Sequence, residues 1–275
     1  MIINNIQLVV IADDAAITDK AGKLAQQFGF QIIDGGKGVD GNADEMPLLF
    51  LEVSAKGVSL FDKSIAGKKP VYVDFCEGKM AHRTNSFSVK NQNLLRAIGI
   101  KKGNRPTVID ATAGLGSDSF IMAWAGCSVT AIERSAVVYA LLEDGLCRAR
   151  TNPETADIAD RITLLHGDSA QLISSQIKAS QINLSQTKVP DVVYIDPMFP
   201  ERSKKALVKK EMRVVKEIVG EDVDSERIFR TARKVAKQRV VVKRPLRGEF
   251  LCGAEPDFSY KGKAARFDVY LGNSD

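Results

Sequence analysis

The sequence predicts an α/β fold in which a mostly parallel sheet is covered by helices. Three observations support this class. From residue 107 onward, short apolar runs alternate with helical stretches, a glycine-rich turn joins the first of these runs to its helix, and two strand-like runs flank Gly262 near the C-terminus. Repeated βα units imply parallel strands with helices on both faces, and the last pair of runs reads as an antiparallel hairpin.

The elements follow from apolar periodicity, taken in chain order. The first 85 residues predict a small α/β domain with a strand at 7–12, a helix at 18–28 and strands at 48–53, 58–61 and 71–75. Residues 86–275 form the second predicted domain, which begins with a helix at 91–98 that ends at Gly99. Its strands are predicted at 107–110, 128–133, 161–166, 191–195, 239–243, 258–261 and 267–271. Its other helices are predicted at 117–125, 136–150, 169–177, 207–219 and 225–236.

Composition excludes several classes of protein. The 275 residues are 44% hydrophobic and 27% charged, which is typical of a globular chain. No apolar run has the ~18–20 residues of a membrane span, and the N-terminus lacks the basic segment of a secretory signal. The four cysteines and two histidines lack the spacing of a zinc site or a disulfide framework. We therefore expect a reduced, metal-free, cytoplasmic protein.

Charge is distributed unevenly along the chain, although the net charge is only +5. Residues 1–50 hold 3 basic and 7 acidic side chains, a balance of −4, whereas residues 201–250 hold 16 basic and 8 acidic side chains, a balance of +8. Such asymmetry favours one face that attracts a polyanion.

The turn after the first strand of the second domain has the features of a nucleotide-binding loop. It reads Asp110-Ala-Thr-Ala-Gly-Leu-Gly116, and Ser117 and Asp118 begin the following helix. Gly114 and Gly116 allow a sharp turn and a close approach to a ligand, beside the free N–H groups of the helix. The dinucleotide fingerprint is incomplete, because residue 119 is Ser where a third glycine would fall.

Acidic residues also end the next two strands. Glu133, followed by Arg134, is placed to accept both hydroxyls of a ribose, and Asp168, followed by Ser169, is placed to accept a hydrogen from an adenine amine. Three successive strand ends of this kind predict an adenosine site. The adenosine could belong to NAD or to S-adenosylmethionine (SAM).

The fourth strand favours SAM. It ends in Asp196-Pro-Met-Phe-Pro200, which resembles the D-P-P-Y tetrapeptide of enzymes that methylate exocyclic amines of nucleobases. Such an amine is a poor nucleophile, so Asp196 would accept its hydrogens and localise its lone pair, while Phe199 would stack on the base. We take Asp196, Pro197 and Phe199 as the candidate catalytic turn. Six basic residues directly after it could hold nucleic-acid phosphates: Arg202, Lys204, Lys205, Lys209, Lys210 and Arg213.

These motifs together resemble the bacterial ribosomal RNA small-subunit methyltransferase J family. The resemblance extends from about residue 71 to 271, is most specific over 196–213, and includes Ala81-His-Arg83, Ile132-Glu-Arg134 and 140–146. It implies a class I, Rossmann-like methyltransferase with a seven-stranded sheet, acting on the N2 amine of a guanosine in small-subunit ribosomal RNA. It also implies cofactor contacts at Ser117, Asp118, Glu133, Arg134, Asp168, Ser169 and Asp196.

Other readings stay open at this point. The same tetrapeptide would serve an adenine-N6 methyltransferase acting on DNA or RNA. An adenosine site would also suit an NAD-dependent dehydrogenase, and the fold could belong to an RNA-binding module without activity. The sequence does not distinguish naked RNA from an assembled small subunit as the substrate.

Overall fold

The computed structural model describes residues 7–10, 15–34, 49–63, 69–77, 92–181, 189–197 and 224–272. Contacts divide the chain into two compact units. Of the described residues, the first unit holds those up to Asp74 together with Ser135–Arg148, and the second unit holds the remainder. A later stretch of chain thus clusters with the N-terminal residues. The division at residue 85 stays a prediction.

The first unit contains a four-stranded sheet in the order β2-β1-β3-β4. Its elements are β1 Gln7–Val10, helix α1 Ala15–Phe28, β2 Gln31–Asp34, β3 Leu49–Ser54 and β4 Gly57–Asp62. Strand β1 runs parallel to β2 and β3, while β3 and β4 form an antiparallel hairpin.

Two sequence-based expectations for this unit are wrong. The sequence analysis did not predict strand β2, which has only four residues and follows α1 closely. Its Ile32 is exposed at the edge of the sheet, so the strand lacks the buried apolar run that indicates a strand. The strand expected at 71–75 is reduced to a single bridge, in which Leu60 and Val71 exchange two backbone hydrogen bonds of 2.9 Å. Val71, Val73 and Phe75 are nevertheless buried, so the alternation that suggested a strand reflects packing without a ladder.

The second unit contains the predicted seven-stranded sheet, in the order β10-β11-β9-β8-β5-β6-β7. Its strands are β5 Val108–Asp110, β6 Val129–Glu133, β7 Ile162–His166, β8 Val192–Ile195, β9 Arg239–Pro245, β10 Phe258–Lys261 and β11 Ala265–Leu271. Strands β5 to β9 are parallel, and β10 and β11 form the antiparallel hairpin that pairs with β9. The fold class expected from the sequence is confirmed.

The remaining helices are α2 Asn93–Ile98, α3 Ser117–Trp124, α4 Ala136–Thr151, α5 Ala156–Ala159, α6 Ser169–Gln181 and α7 Ser225–Val235, with a short 3₁₀ turn at Leu251–Gly253. The central strands β5 and β8 are buried along their whole length, as a sheet covered on both faces requires. The parallel strands all end at one edge, which we call the carboxyl edge. Chain order reverses between β5 and β8, and ligands of such sheets bind beside that point.

Several predicted features lie outside the described residues: the helix at 207–219, Phe199, His82, Arg83 and the basic run 202–213. Within the described ranges, no helix is both long and apolar enough to cross a membrane. The same ranges bring no three His, Cys, Asp or Glu side chains together as metal ligands would be.

Asp110 secures the turn that leaves β5. Its side chain is buried, with one carboxylate oxygen accepting from the Thr112 N–H at 3.1 Å and the other from the Ser119 hydroxyl at 2.5 Å. Burial raises the pKa of Asp110 to about 7. The two hydrogen bonds lower this pKa, whereas the nearby carboxylates of Asp118 and Asp196 raise it further. The group therefore changes charge near neutral pH.

We predict that Asp110→Asn removes a pH dependence of stability. A folded-state pKa above the unfolded value of about 3.9 means that the native state holds the proton more tightly. Its contribution is therefore present at low pH and lost as pH rises toward 7. Between pH 5 and pH 8 the wild-type free energy of unfolding should fall by about 3 kcal/mol relative to the Asn variant.

Urea unfolding of both proteins at the two pH values measures this difference. The exposed Asp157, changed to Asn, serves as the control and should follow the wild type. An Asp110→Asn variant that loses stability with pH as steeply as the wild type would contradict the role of this carboxyl.

Candidate active site

The loop between β5 and α3 has the backbone conformation of a ligand-binding turn. Gly114 and Gly116 have φ angles of 54° and 76°, in the left-handed region that favours glycine. Gly116 is also the N-cap of α3 and offers no side chain to the first N–H groups of that helix, which leaves them available to a ligand. A Cβ built on Gly114 would meet no atom closer than the Thr112 carbonyl oxygen at 4.0 Å, so there is open space beside this turn.

Glu133 joins the end of β6 to this loop. Its side chain is buried, and Oε2 accepts a hydrogen bond of 2.9 Å from the Gly114 N–H. A carboxylate has about four acceptor positions, so it can accept further hydrogen bonds from a ligand hydroxyl. The structure thus brings Glu133 to the predicted nucleotide loop.

Asp168 and Ser169 have clear contacts within the protein. Ser169 is buried, and its hydroxyl donates to the Ala111 carbonyl at 2.6 Å. Asp168 accepts from the Gln171 N–H at 2.8 Å, which caps α6, and forms an ion pair with Arg227. Burial alone would raise the pKa of Asp168, but the hydrogen bonds from Gln171 and Arg227 hold it below its usual value.

The Arg134 side chain is directed toward α7. Its guanidinium pairs with Asp224 at 3.1 Å, and Asp224 lies 3.5 Å from Arg227, so ion pairs continue from Arg134 to Asp168. The Arg134 carbonyl lies 3.0 Å from His166 Nε2. His166 is exposed, so it contacts this neighbouring strand end at the surface and is not part of the core.

Asp196 lies at the end of β8, within reach of the first loop. Its backbone N–H donates to the Thr112 hydroxyl at 2.7 Å. Its carboxylate accepts from Lys243 Nζ at 2.8 Å, and its side chain is 35% exposed, so it is both anchored and accessible. Pro197 follows and is buried.

Lys243, on β9, connects two of the candidate carboxylates. Its ammonium lies 2.8 Å from Asp118 and 2.8 Å from Asp196. Burial lowers the pKa of Lys243, but the two carboxylates outweigh burial and raise it above its usual value. Asp118 also accepts from the hydroxyl of the fully buried Tyr194 at 2.5 Å. The result is a connected polar row: Tyr194, Asp118, Lys243 and Asp196.

Sequence reasoning missed this role of Lys243. In the sequence, Lys243 and the neighbouring Arg244 look like surface cations, but Arg244 is buried and Lys243 lies between two carboxylates. The available signal was a lysine within an otherwise apolar strand, Val240-Val-Val-Lys243, which seldom occurs without a charged partner. Lys237 is placed at the opposite edge of the sheet, because its N–H bonds to Pro190, which precedes β8.

Comparison with known proteins shows the family to which this chain belongs. Residues 24–272 match the family model described as "Putative SAM-dependent methyltransferase". A protein of Nitrosococcus oceani named ribosomal RNA small subunit methyltransferase J is 45% identical over 225 residues, which are 82% of this chain and 85% of that protein. A protein of the same name from Pseudomonas aeruginosa strain LESB58 is 40% identical over 264 residues, covering 96% of this chain and 94% of its own length.

A solved structure extends the match to the fold. The crystal structure of a SAM-dependent methyltransferase from Neisseria gonorrhoeae superposes with a TM-score of 0.72 at 36% identity, covering 98% of this chain and 97% of that one. Of the two cofactors that the adenosine site left open, SAM is therefore the one that applies. The chain belongs to the ribosomal RNA small subunit methyltransferase J family of SAM-dependent methyltransferases.

Proposed function

We propose that this protein transfers the methyl group of SAM to the N2 amine of a guanosine in small-subunit ribosomal RNA. The observation that carries the proposal is the accessible carboxylate of Asp196, fixed at the carboxyl edge by Thr112 and Lys243. The names of relatives that are 40–45% identical support ribosomal RNA as the substrate. A ribosomal substrate also supports a cytoplasmic location.

The residues around the first loop fit the cofactor. The turn at Gly114 and Gly116, the start of α3 at Ser117 and Asp118, and the carboxylate of Glu133 would hold it. Arg134 would contribute its backbone, and Asp168 would accept from the adenine amine beside Ser169. When bound, SAM supplies an electrophilic methyl group on a positively charged sulfur.

Asp196 would orient the amine that receives the methyl group. An ionised carboxylate accepts a hydrogen bond from the NH₂ group, which directs the nitrogen lone pair toward the methyl carbon, and orientation of this kind lowers the barrier substantially. Lys243 acts as a positioning residue, because it fixes the carboxylate and favours its ionised form. The resemblance gives Pro197 the role of shaping the turn and Phe199 that of stacking on the base.

Methyl transfer from labelled SAM tests the reaction and the role of Asp196 together. We expect label in small-subunit RNA, and mass mapping should identify the product as N2-methylguanosine. Label only in DNA, or in N6-methyladenosine, would support the adenine alternative instead. Assays on naked RNA and on assembled small subunits identify which of the two is the substrate.

In the same assay, Asp196→Asn should lower kcat by about 100-fold, since the neutral amide is a weaker acceptor and presents donors of its own to the amine. The dissociation constant for SAM, which Asp196 would also contact, should rise by less than about 10-fold, so that most of the loss is in kcat. The matched control is Asp160→Asn, an exposed carboxylate at the end of α5. Undiminished turnover in Asp196→Asn would refute the role proposed for this residue.

We predict that Lys243→Met changes the pH profile as well as the rate. Without the ammonium, the pKa of Asp196 should rise, so the acid limb of kcat should move to higher pH and kcat at neutral pH should fall about 10-fold. Lys243→Arg keeps the charge and should recover part of the activity. The exposed Lys237, changed to Met, is the control. A variant with reduced kcat but an unshifted profile would mean that Lys243 is only structural.

For the cofactor site, we predict that Glu133→Gln raises the dissociation constant for SAM about 10-fold. Hydrogen bonds from ribose hydroxyls to a charged carboxylate contribute more than those to a neutral amide. Calorimetry with SAM measures the change, and the exposed Glu154, changed to Gln, should bind like the wild type. Equal affinity in Glu133→Gln and the wild type would remove Glu133 from the site.

A further inference from the structure

We propose that the loop at 246–250, directly after β9, is a contact surface for unpaired nucleotides that flank the target base. The proposal rests on the RNA methyltransferase function proposed above and adds a binding surface to it. It is carried by three observations: the position of the loop, the buried arginines that fix it, and the apolar side chains that it exposes.

The loop lies at the carboxyl edge, next to the proposed catalytic carboxylate. Strand β9 ends at Pro245, two residues after Lys243, whose ammonium contacts Asp196. At a rise of about 3.3 Å per residue, the Leu246 backbone is about 10 Å along the chain from Lys243. If an RNA strand binds with its target base at Asp196, the nucleotides on either side of that base would therefore lie within reach of this loop.

Two buried arginines fix the loop backbone. Arg266 donates through Nη1 to the carbonyls of Leu246 at 2.9 Å and Pro245 at 3.3 Å, and Arg244 donates to the carbonyl of Glu249. The Gly248 N–H closes a turn with the Pro245 carbonyl at 3.0 Å. The loop is thus held in one conformation, which reduces the entropy lost when a ligand binds.

The arginines are themselves secured by the hairpin. Arg266 Nε donates to both oxygens of Asp268, at 2.9 and 3.1 Å, and the Ser259 hydroxyl donates to the same carboxylate at 2.6 Å. Arg244 lies directly opposite Arg266 in the ladder, so two buried guanidinium groups face one buried carboxylate. Burial is the main cause that lowers the pKa of Arg244, and Arg266 lowers it further, whereas Asp268 and Glu249 raise it.

The exposed side chains of the loop have the chemistry of a single-strand binding surface. Leu246 and Phe250 are 38% and 37% exposed, and Arg247 between them is also exposed. The Arg266 guanidinium lies 4.9 Å from the centroid of the Phe250 ring and covers part of it from the protein side. An exposed aromatic ring beside an exposed arginine can stack on a base and pair with its phosphate.

Methylation kinetics with varied RNA concentration test this surface. Phe250→Ala should raise KM for RNA about 10-fold, the size expected for loss of one base stack, with kcat and the SAM dissociation constant unchanged within about 2-fold. Phe250→Tyr should restore KM. Arg247→Ala should reduce the slope of log affinity against log salt by about one unit.

The matched controls are Phe258→Ala and Leu271→Ala, which remove side chains of similar exposure, 38% and 41%, from positions further from the carboxyl edge. An active wild type with an unchanged KM in Phe250→Ala would overturn this inference and leave the proposed function intact. A wild type that transfers no methyl group to RNA would overturn the proposed function, and this inference with it. A KM increase as large in the controls would also overturn the inference, because the effect would not be specific to the loop.

Discussion

The rest of the proposed active site depends on the contacts of the Lys243 ammonium with Asp118 and Asp196. The ammonium joins carboxylates that come from two different elements, the first turn of α3 and the end of β8, and it lies on a third, β9. Removing one member of such a partly buried group leaves charges that are costly to keep away from water. The single lysine thus holds the Asp196 carboxylate in place, while the Thr112 hydroxyl holds its backbone.

Charge balance in this region also suits the chemistry proposed. Burial raises the pKa of Asp110 to about 7, so near neutral pH this carboxyl carries less than a full negative charge. The two carboxylates of Asp118 and Asp196 share the single ammonium of Lys243, so this group of three side chains has a net charge of about −1. Such a site would attract a positively charged methyl donor.

Hydrogen bonds within the protein also fix the loops around the site. Glu133 bonds to Gly114, Ser169 to Ala111, and the Asp196 backbone to Thr112, so the ends of β6, β7 and β8 are each tied to the loop after β5. The protein's own hydrogen bonds therefore position the loops around the site relative to one another.

Much of this was predictable from the sequence, and the remainder has a physical reason. Alternating strands and helices determine the sheet, and strand-end residues such as Glu133 and Asp196 must meet at one edge of it. The partners of Lys243 lie 125 and 47 residues away along the chain, at distances where no periodicity indicates pairing. The pairing of Asp168 with Arg227 is hidden for the same reason, since the two residues are 59 positions apart in the sequence.

A crystal structure with bound S-adenosylhomocysteine tests the central claim most directly. The account predicts that the sulfur faces the Asp196 carboxylate across an open space sized for a methyl group and an amine, with Lys243 still in contact with Asp118 and Asp196. A ligand bound away from this edge, or a Lys243 that has left Asp196 to solvent, would contradict it.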